Sequence, residues 1–253
     1  LTLVPDREHR LGGVAVQRQF GRLGAGPARR LAVGHGGLDR DVVGRQHLVE
    51  LVVLHLQRHQ ERHALGQVAS CTLPDSHPPA TLLRALNFHL PPGVRVLSVQ
   101  KAKPKFHARF SAKGKTYLYR IINDTFLHPP EMGRAWHVPR PLHLPSLRQA
   151  ARLFTGKHDF ASFTSNPGYE RESTVRRLRI VRVVRKPGSV LEFTFDGDGF
   201  LYRMVRNLVG ALVKVGQGRL SVAELKKILA ARSRSTAPPT APAEGLYLLK
   251  VRY

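Results

Sequence analysis

The chain has 253 residues, 42% hydrophobic and 23% charged, proportions that suit a core-forming chain of one large domain or two small ones. No apolar run reaches the length of a membrane span, the first residues lack the pattern of a secretory signal, and the single cysteine, Cys71, excludes an internal disulfide framework, which is the usage of a reducing cytoplasm. Lys and Arg number 41 against 17 Asp and Glu, a formal net charge of +24, which points to a polyanionic partner, nucleic acid first, and carries no information about chemistry.

Residues 1–62 differ in composition from the rest. They contain no Lys, Tyr, Trp, Ile, Met, Asn, Ser or Cys, and all of these types occur from His63 onward. Three readings fit this segment: a disordered basic arm, which its many Val and Leu residues argue against; a divergent domain; or out-of-frame translation of GC-rich DNA, which the composition favours. On the last reading the segment is expected to be poorly ordered. Gly21-Arg22-Leu23-Gly24-Ala25-Gly26 has the look of a phosphate loop but lacks the following Lys-Ser/Thr and a preceding strand. His55, His59 and His63 are spaced four apart, yet no Cys or carboxylate completes a zinc set, and no metal site is assigned.

The next elements follow from pattern. Thr81–Leu90 reads as a helix with Leu82, Leu83, Leu86 and Leu90 apolar, stopped by Pro91-Pro92-Gly93. Val94–Val99 reads as a strand. Lys115–Ile122 is a strand whose alternation sets Tyr117, Tyr119 and Ile121 on one face and Leu118, Arg120 and Ile122 on the other. Pro145–Thr155 is a helix with Leu147, Ala150, Ala151 and Phe154 on one stripe, closed by Gly156.

Val175–Val184 and Val190–Phe195 form a hairpin around Lys186-Pro187-Gly188. Arg203–Val215 is an amphipathic helix. Its apolar stripe is Met204, Leu208, Ala211, Leu212 and Val215; Arg203, Arg206, Asn207, Gly210 and Lys214 make another face. Ser221 and Glu224 form a capping box for a helix carrying Leu225, Ile228 and Leu229. Ser233–Pro242 is a Pro/Thr/Ala/Ser loop, and Leu246–Tyr253 a final strand. The sum is an α+β pattern with an antiparallel or mixed sheet and helices on one face. Its expected domains are the anomalous segment 1–62, the remainder of an N-terminal half at 63–105, and a C-terminal half at 106–253.

Several segments, in order, resemble one family. They are His63-Ala64-Leu65-Gly66-Gln67; Leu86-Asn87; Phe106-His107-Ala108-Arg109-Phe110-Ser111-Ala112 leading to Lys115-Thr116-Tyr117; Gly156-Lys157-His158-Asp159-Phe160 with Ser162-Phe163; Thr174-Val175-Arg176; Gly199-Phe200-Leu201-Tyr202-Arg203-Met204-Val205-Arg206-Asn207; and Ala243-Glu244-Gly245-Leu246. Together they resemble the TruA-type tRNA pseudouridine synthases, over His63 to Tyr253. The resemblance implies a pseudouridine synthase fold: two pseudo-symmetric halves with mostly antiparallel or mixed sheets, flanked by helices around a basic cleft. It implies a homodimer that binds the anticodon arm of tRNA and isomerises uridines 38, 39 and 40, with no cofactor and no metal.

The chemistry asks for particular residue types. Breaking the glycosidic bond calls for a carboxylate as nucleophile or as a stabiliser of the developing sugar cation. The base must leave its stack, an aromatic platform recovers part of that cost, and a cation keeps the carboxylate ionised. By resemblance Tyr117 packs on the target base and Arg206 pairs with the carboxylate, while Arg109, Arg120, Arg176 and Arg203 are candidates for RNA phosphates. His158 and Asp159 fall in a segment that looks structural in this family, and Trp136 reads as core.

One departure stands out. The family signature ahead of His63 is Gly-Arg-Thr-Asp-Ala-Gly-Val-His, where this chain has Leu56-Gln57-Arg58-His59-Gln60-Glu61-Arg62-His63. His59 occupies the aspartate position, and an imidazole does not supply carboxylate chemistry. The alternative expectation is therefore a tRNA-binding relative without catalysis.

Overall fold

The structure, a computed structural model, describes residues 63–73, 77–165 and 172–253, together with the strand paths at residues 9–11, 14–16 and 47–55. The expectation of a poorly ordered 1–62, the Gly21–Gly26 run and His59 otherwise lie outside the described residues, as does the side chain of His55. The described residues fall into two compact units. Those up to Val53 join Val68–Ser111, and those from Leu54 to Gln67 join Ala112–Tyr253.

The first unit contains β1 (His9–Leu11), β2 (Val14–Val16), most of β3 (His47–His55), the later residues of β4 (His63–Leu73), α1 (Pro79–His89) and β5 (Val94–Lys101). β2 pairs antiparallel with β1 and meets β4 at Ala15 opposite Thr72, and β3 pairs with both β4 and β5. Cys71 and Leu73 are buried under Leu82 and Leu86 of α1, with Val99 of β5 beside them. Helix α1 begins on Pro79 after Pro78, where a missing N–H costs nothing. Asn87 docks it. Its Nδ2 donates to the Val96 carbonyl at 2.9 Å and its Oδ1 accepts from the Val96 N–H at 2.8 Å, so one side chain imitates a neighbouring strand.

The second unit carries most of the core. Its strands are β6 (Gly114–Ile122), β7 (Trp136–His137), β8 (Gly156–Asp159), β9 (Val175–Lys186), β10 (Val190–Gly197) and β11 (Leu246–Arg252); its helices are α2 (Leu144–Arg152), α3 (Met204–Gly216) and α4 (Val222–Ala231). The strand order β11-β6-β10-β9-β8 is antiparallel throughout. The start of β4 pairs parallel with β11, and β7 pairs parallel with the end of β6, which makes the sheet mixed. This agrees with the α+β expectation. Among the described residues no helix is long and apolar enough to cross a membrane.

The alternation expected in β6 holds. Tyr119 and Ile121 are buried in the main core with Tyr117 packed against it, while Ile122 enters a separate small cluster with Ala135 and Val190 on the other face. Leu191, Phe193 and Phe195 of β10 face the same core as Tyr119, and α2, α3 and α4 cover it. The β9–β10 hairpin turns through Gly188 and Ser189, both at positive φ, and Gly188 meets that demand without a Cβ penalty. The capping box forms as read: Ser221 Oγ accepts the Glu224 N–H at 3.1 Å, and the Glu224 carboxylate accepts the Ser221 N–H at 2.7 Å.

Helix α3 departs from the sequence reading. Arg203 is outside it, at the N-cap in the left-handed region with φ 58°. The face carrying Asn207 and Gly210 is not solvated: both residues are buried, and the helix is enclosed from Met204 to Gly216 except at Arg206 and Lys214. The loop Ser233–Pro242 covers that face. It supplies polar groups to the polar side chain and a carbonyl that needs the missing Cβ of Gly210.

Candidate active site

Tyr117 sits on β6 between Phe195 of β10 and Leu248 of β11. It is half-buried, and its ring meets Phe200 edge-to-face, centroids 4.9 Å apart at 76°, within the range that favours aromatic pairs. Phe200 is delivered by Asp198-Gly199, the turn that leaves β10 after a bulge between Asp196 and Gly197. A Cβ on Gly199 would sit 3.3 Å from Arg176 Nε, so the glycine lets Arg176 lie beside this turn. Arg176 also donates to its neighbouring backbone, to Ser173 O at 3.1 Å and Val175 O at 2.6 Å.

Arg206 stands in the first turn of α3. Its Nε donates to the Ala241 carbonyl at 2.7 Å, and the Ala241 N–H donates to the Arg206 carbonyl at 3.1 Å. The next residue, Pro242, accepts the hydroxyl of Tyr119 at 2.6 Å. Burial holds the Tyr119 hydroxyl far above the usual tyrosine range; Arg206 pulls it down and Glu244 pushes it up, which sets both charges within electrostatic reach of that ring. Tyr117 lies two residues from Tyr119 on the same strand face, a rise of about 7 Å. Strand β6, loop Ala241–Gly245 and the head of α3 thus bring the aromatic and the cation to one side of the sheet.

The remaining arginines are placed differently. Arg203 is exposed beside this turn, its guanidinium 5.2 Å from the ring centre of Tyr202. Arg120 is on the sheet face opposite Tyr117 and is engaged bidentately by Glu131, at 3.1 and 3.3 Å. Arg109 belongs to the first unit, exposed over the ring of Phe110 at 5.4 Å. It lies in a turn in which the His107 ring accepts two backbone N–H groups.

Other motif residues have structural partners. His63 stacks on Tyr247 with centroids 4.4 Å apart, and its Nε2 is 3.0 Å from the Gly133 carbonyl oxygen. A Cβ on Gly66 would collide with the Leu249 carbonyl oxygen. These contacts fix where β4 starts on β11, four residues after position 59. Asp159 accepts from Thr174 Oγ1 at 2.5 Å and the Ala161 N–H at 3.0 Å, and Arg232 pairs with it at 3.3 Å. Trp136 is half-buried, packed on the core edge-on to Tyr119. No group of His, Cys, Asp and Glu among the described residues is arranged to hold a metal.

Sequence reading missed the partners of Arg206. Ala241 acts through its backbone and leaves no side-chain signal. Asn207, Arg234 and Thr240 were legible only as a helix polar face and a loop.

A family model described as tRNA pseudouridine synthase matches residues 150–253. A curated relative from Methylacidiphilum infernorum (isolate V4), named tRNA pseudouridine synthase A, is 51% identical over 191 residues, 76% of this chain and 74% of its own. Proteins of the same name from Geobacillus kaustophilus and Limosilactobacillus fermentum are 44% and 42% identical, each over 76% of this chain and 73% and 74% of their own lengths.

Proposed function

The chain belongs to the tRNA pseudouridine synthase A family, and from that premise we propose that it isomerises uridines 38, 39 and 40 in the anticodon arm of tRNA, with Tyr117 and Arg206 at the reacting nucleotide. The observation that carries this reading is the placement of the Tyr117–Phe200 aromatic pair and the anchored Arg206 on one side of the same sheet. A flipped uracil stacking on an aromatic ring recovers part of its unstacking cost. An arginine fixed at Nε presents its guanidinium in one plane, the geometry that a carboxylate or a phosphate accepts. Arg176 and Arg203, beside the Gly199–Tyr202 turn, suit the flanking phosphates; Arg109 suits phosphates reached from the first unit. Arg120 keeps Glu131 as its partner and serves RNA less directly. The working form in this reading is a cytoplasmic homodimer.

The isomerisation breaks the bond from N1 of the base to the ribose and forms one from C5; the C5 proton departs and N1 gains one, so no redox partner is required. Tyr117 is the candidate to receive the C5 proton. A carboxylate is also required, and His59 holds its position. That substitution favours a second reading, a relative that binds the anticodon arm and does not turn over.

An unmodified tRNA transcript with uridine at 38, 39 and 40, incubated with the chain and mapped for pseudouridine, tests both. Pseudouridine confined to those positions supports the first reading. Tight binding without product, converted to product by His59→Asp, supports the second. Product at other positions excludes the site assignment.

A further inference from the structure

The loop Ser233–Pro242 was legible only as a Pro/Thr/Ala/Ser loop, yet its side chains are bonded to α3 and to one another. Asn207 is fully buried. Its Nδ2 donates to the Phe163 carbonyl at 2.9 Å, and its Oδ1 accepts the Thr240 hydroxyl at 2.6 Å and Arg234 at 3.4 Å. Arg234 also donates to Thr240 Oγ1 at 3.2 Å and to the carbonyls of Ala237 and Pro238 at 3.0 and 3.1 Å. Upstream, the buried Ser162 hydroxyl donates to Ile228 O at 2.7 Å and accepts the Ser233 N–H at 3.0 Å. The loop is thereby pinned at its first residue and again near its end. Gly210 admits the Pro239 carbonyl against the helix, where a Cβ would collide with it.

The bonds close a ring. Asn207 follows Arg206 on the helix and holds Thr240; Thr240 precedes Ala241; and Ala241 closes on Arg206 through two hydrogen bonds, its carbonyl accepting from Arg206 Nε and its N–H donating to the Arg206 carbonyl. An arginine side chain carries about 2 kcal/mol of rotamer entropy, and a bidentate contact requires that its plane be settled beforehand. A main-chain carbonyl can settle it only if the carbonyl itself is immobile. A plain loop would not meet that condition, and this one does because a buried amide side chain and a guanidinium lock the residue next to it.

We propose that Thr240, Asn207 and Arg234 are positioning residues that fix the Ala241 carbonyl and, through it, the guanidinium plane of Arg206. The proposal rests on the reading that Arg206 works at the reacting nucleotide. Thr240 is the joint of the device. Among the described residues it is the one side chain bonded to both Asn207 and Arg234, and it needs a hydroxyl, because a methyl in its place would leave the buried Asn207 oxygen with a single long contact to Arg234.

The test uses the full chain with ¹⁵N-labelled arginine and compares Thr240→Val, Thr240→Ser and Arg206→Lys with the wild type. In the wild type and in Thr240→Ser the Arg206 Nε–H is expected to exchange slowly with solvent. In Thr240→Val exchange is faster by about tenfold or more, the loss of one good hydrogen bond, with cooperative melting retained. In turnover of the tRNA transcript, measured with every variant built on His59→Asp if the wild-type chain gives no product, Thr240→Val lowers kcat by about 10- to 100-fold, as misplacement of a catalytic group does, with KM near the reference value, and Thr240→Ser restores it.

A folded Thr240→Val protein with wild-type Nε–H exchange overturns the proposal, as does wild-type kcat in that variant. If Thr240→Val does not fold, Arg234→Met, which removes the second bond to Thr240 from a partly exposed position, is read in the same way. Arg206→Lys separates this proposal from the reading beneath it. Wild-type turnover and RNA affinity in Arg206→Lys remove Arg206 from the reaction, whereas lost turnover in Arg206→Lys beside an unaltered Thr240→Val removes only the positioning role.

Discussion

Gly210 of α3 lies so close to Pro239 that a Cβ at 210 would overlap the Pro239 carbonyl oxygen, which is backbone and cannot rotate away. Gly210→Ala should therefore destabilise the fold by about 1–3 kcal/mol, the usual cost of overpacking a closed contact, despite the better helix propensity of alanine. Urea denaturation measures this directly. An unchanged or raised midpoint would mean that the loop is not seated on the helix as described.

Tyr117 combines a platform with a hydroxyl, and two substitutions part them. Tyr117→Ala is expected to weaken binding of an anticodon stem-loop by about 1–3 kcal/mol, the range for one base–aromatic stack. Tyr117→Phe keeps the edge contact with Phe200 and should keep the affinity while losing proton removal from the base. Fluorescence titration gives the affinities. Equal binding by Tyr117→Ala and the wild type would return this tyrosine to a purely structural role.

Asp196 is buried on β10, and it accepts the Thr116 hydroxyl at 2.6 Å and Arg179 Nε at 2.8 Å, and pairs with Arg252. One carboxylate thus ties β6, β9 and β11 together at the bulge. Asp196→Asn should cost about 2–3 kcal/mol, below the range of a fully buried pair because both arginines remain partly solvated. A shift in the urea midpoint worth less than a few tenths of a kcal/mol would show the cluster to be a surface pairing.

Burial pushes the Cys71 thiol up to about 11 from its ordinary 9.0. Unfolded chains release this proton near the ordinary value and folded ones only near the raised one. The stability it contributes is complete below pH 9 and falls as pH rises from 9 to 11. Native protein at pH 8 should also resist iodoacetamide, because the thiolate is the nucleophile. Fast alkylation of the native chain at pH 8 would contradict both the burial and the shift.

The His59 question has a decisive observation at the level of the gene. If residues 1–62 arise from a frame error, another frame of the same DNA encodes Gly-Arg-Thr-Asp-Ala-Gly-Val ahead of His63, and resequencing across those codons finds it. A confirmed His59 with no such frame favours binding without turnover, and His59→Asp then becomes the test of whether the rest of the site is competent.

The sequence by itself determined the elements whose causes are local. The alternation of β6, the hairpin at Pro187-Gly188 and the Ser221–Glu224 capping box each depend on residues a few positions apart, so their pattern survives in one dimension. The family was legible for a related reason: its short motifs keep their order along the chain. The surroundings of Arg206 were not legible. The polar face of α3 read only as a face apart from the apolar stripe, because Asn207 and Gly210 pair with residues about 30 positions later, and Arg120 read as a candidate for RNA phosphate because its partner, Glu131, lies across a turn. Only the tertiary structure decided these cases. Whether a polar side chain is spent or presented depends on which distant backbone reaches it, and that is fixed by packing rather than by the residue's own neighbours.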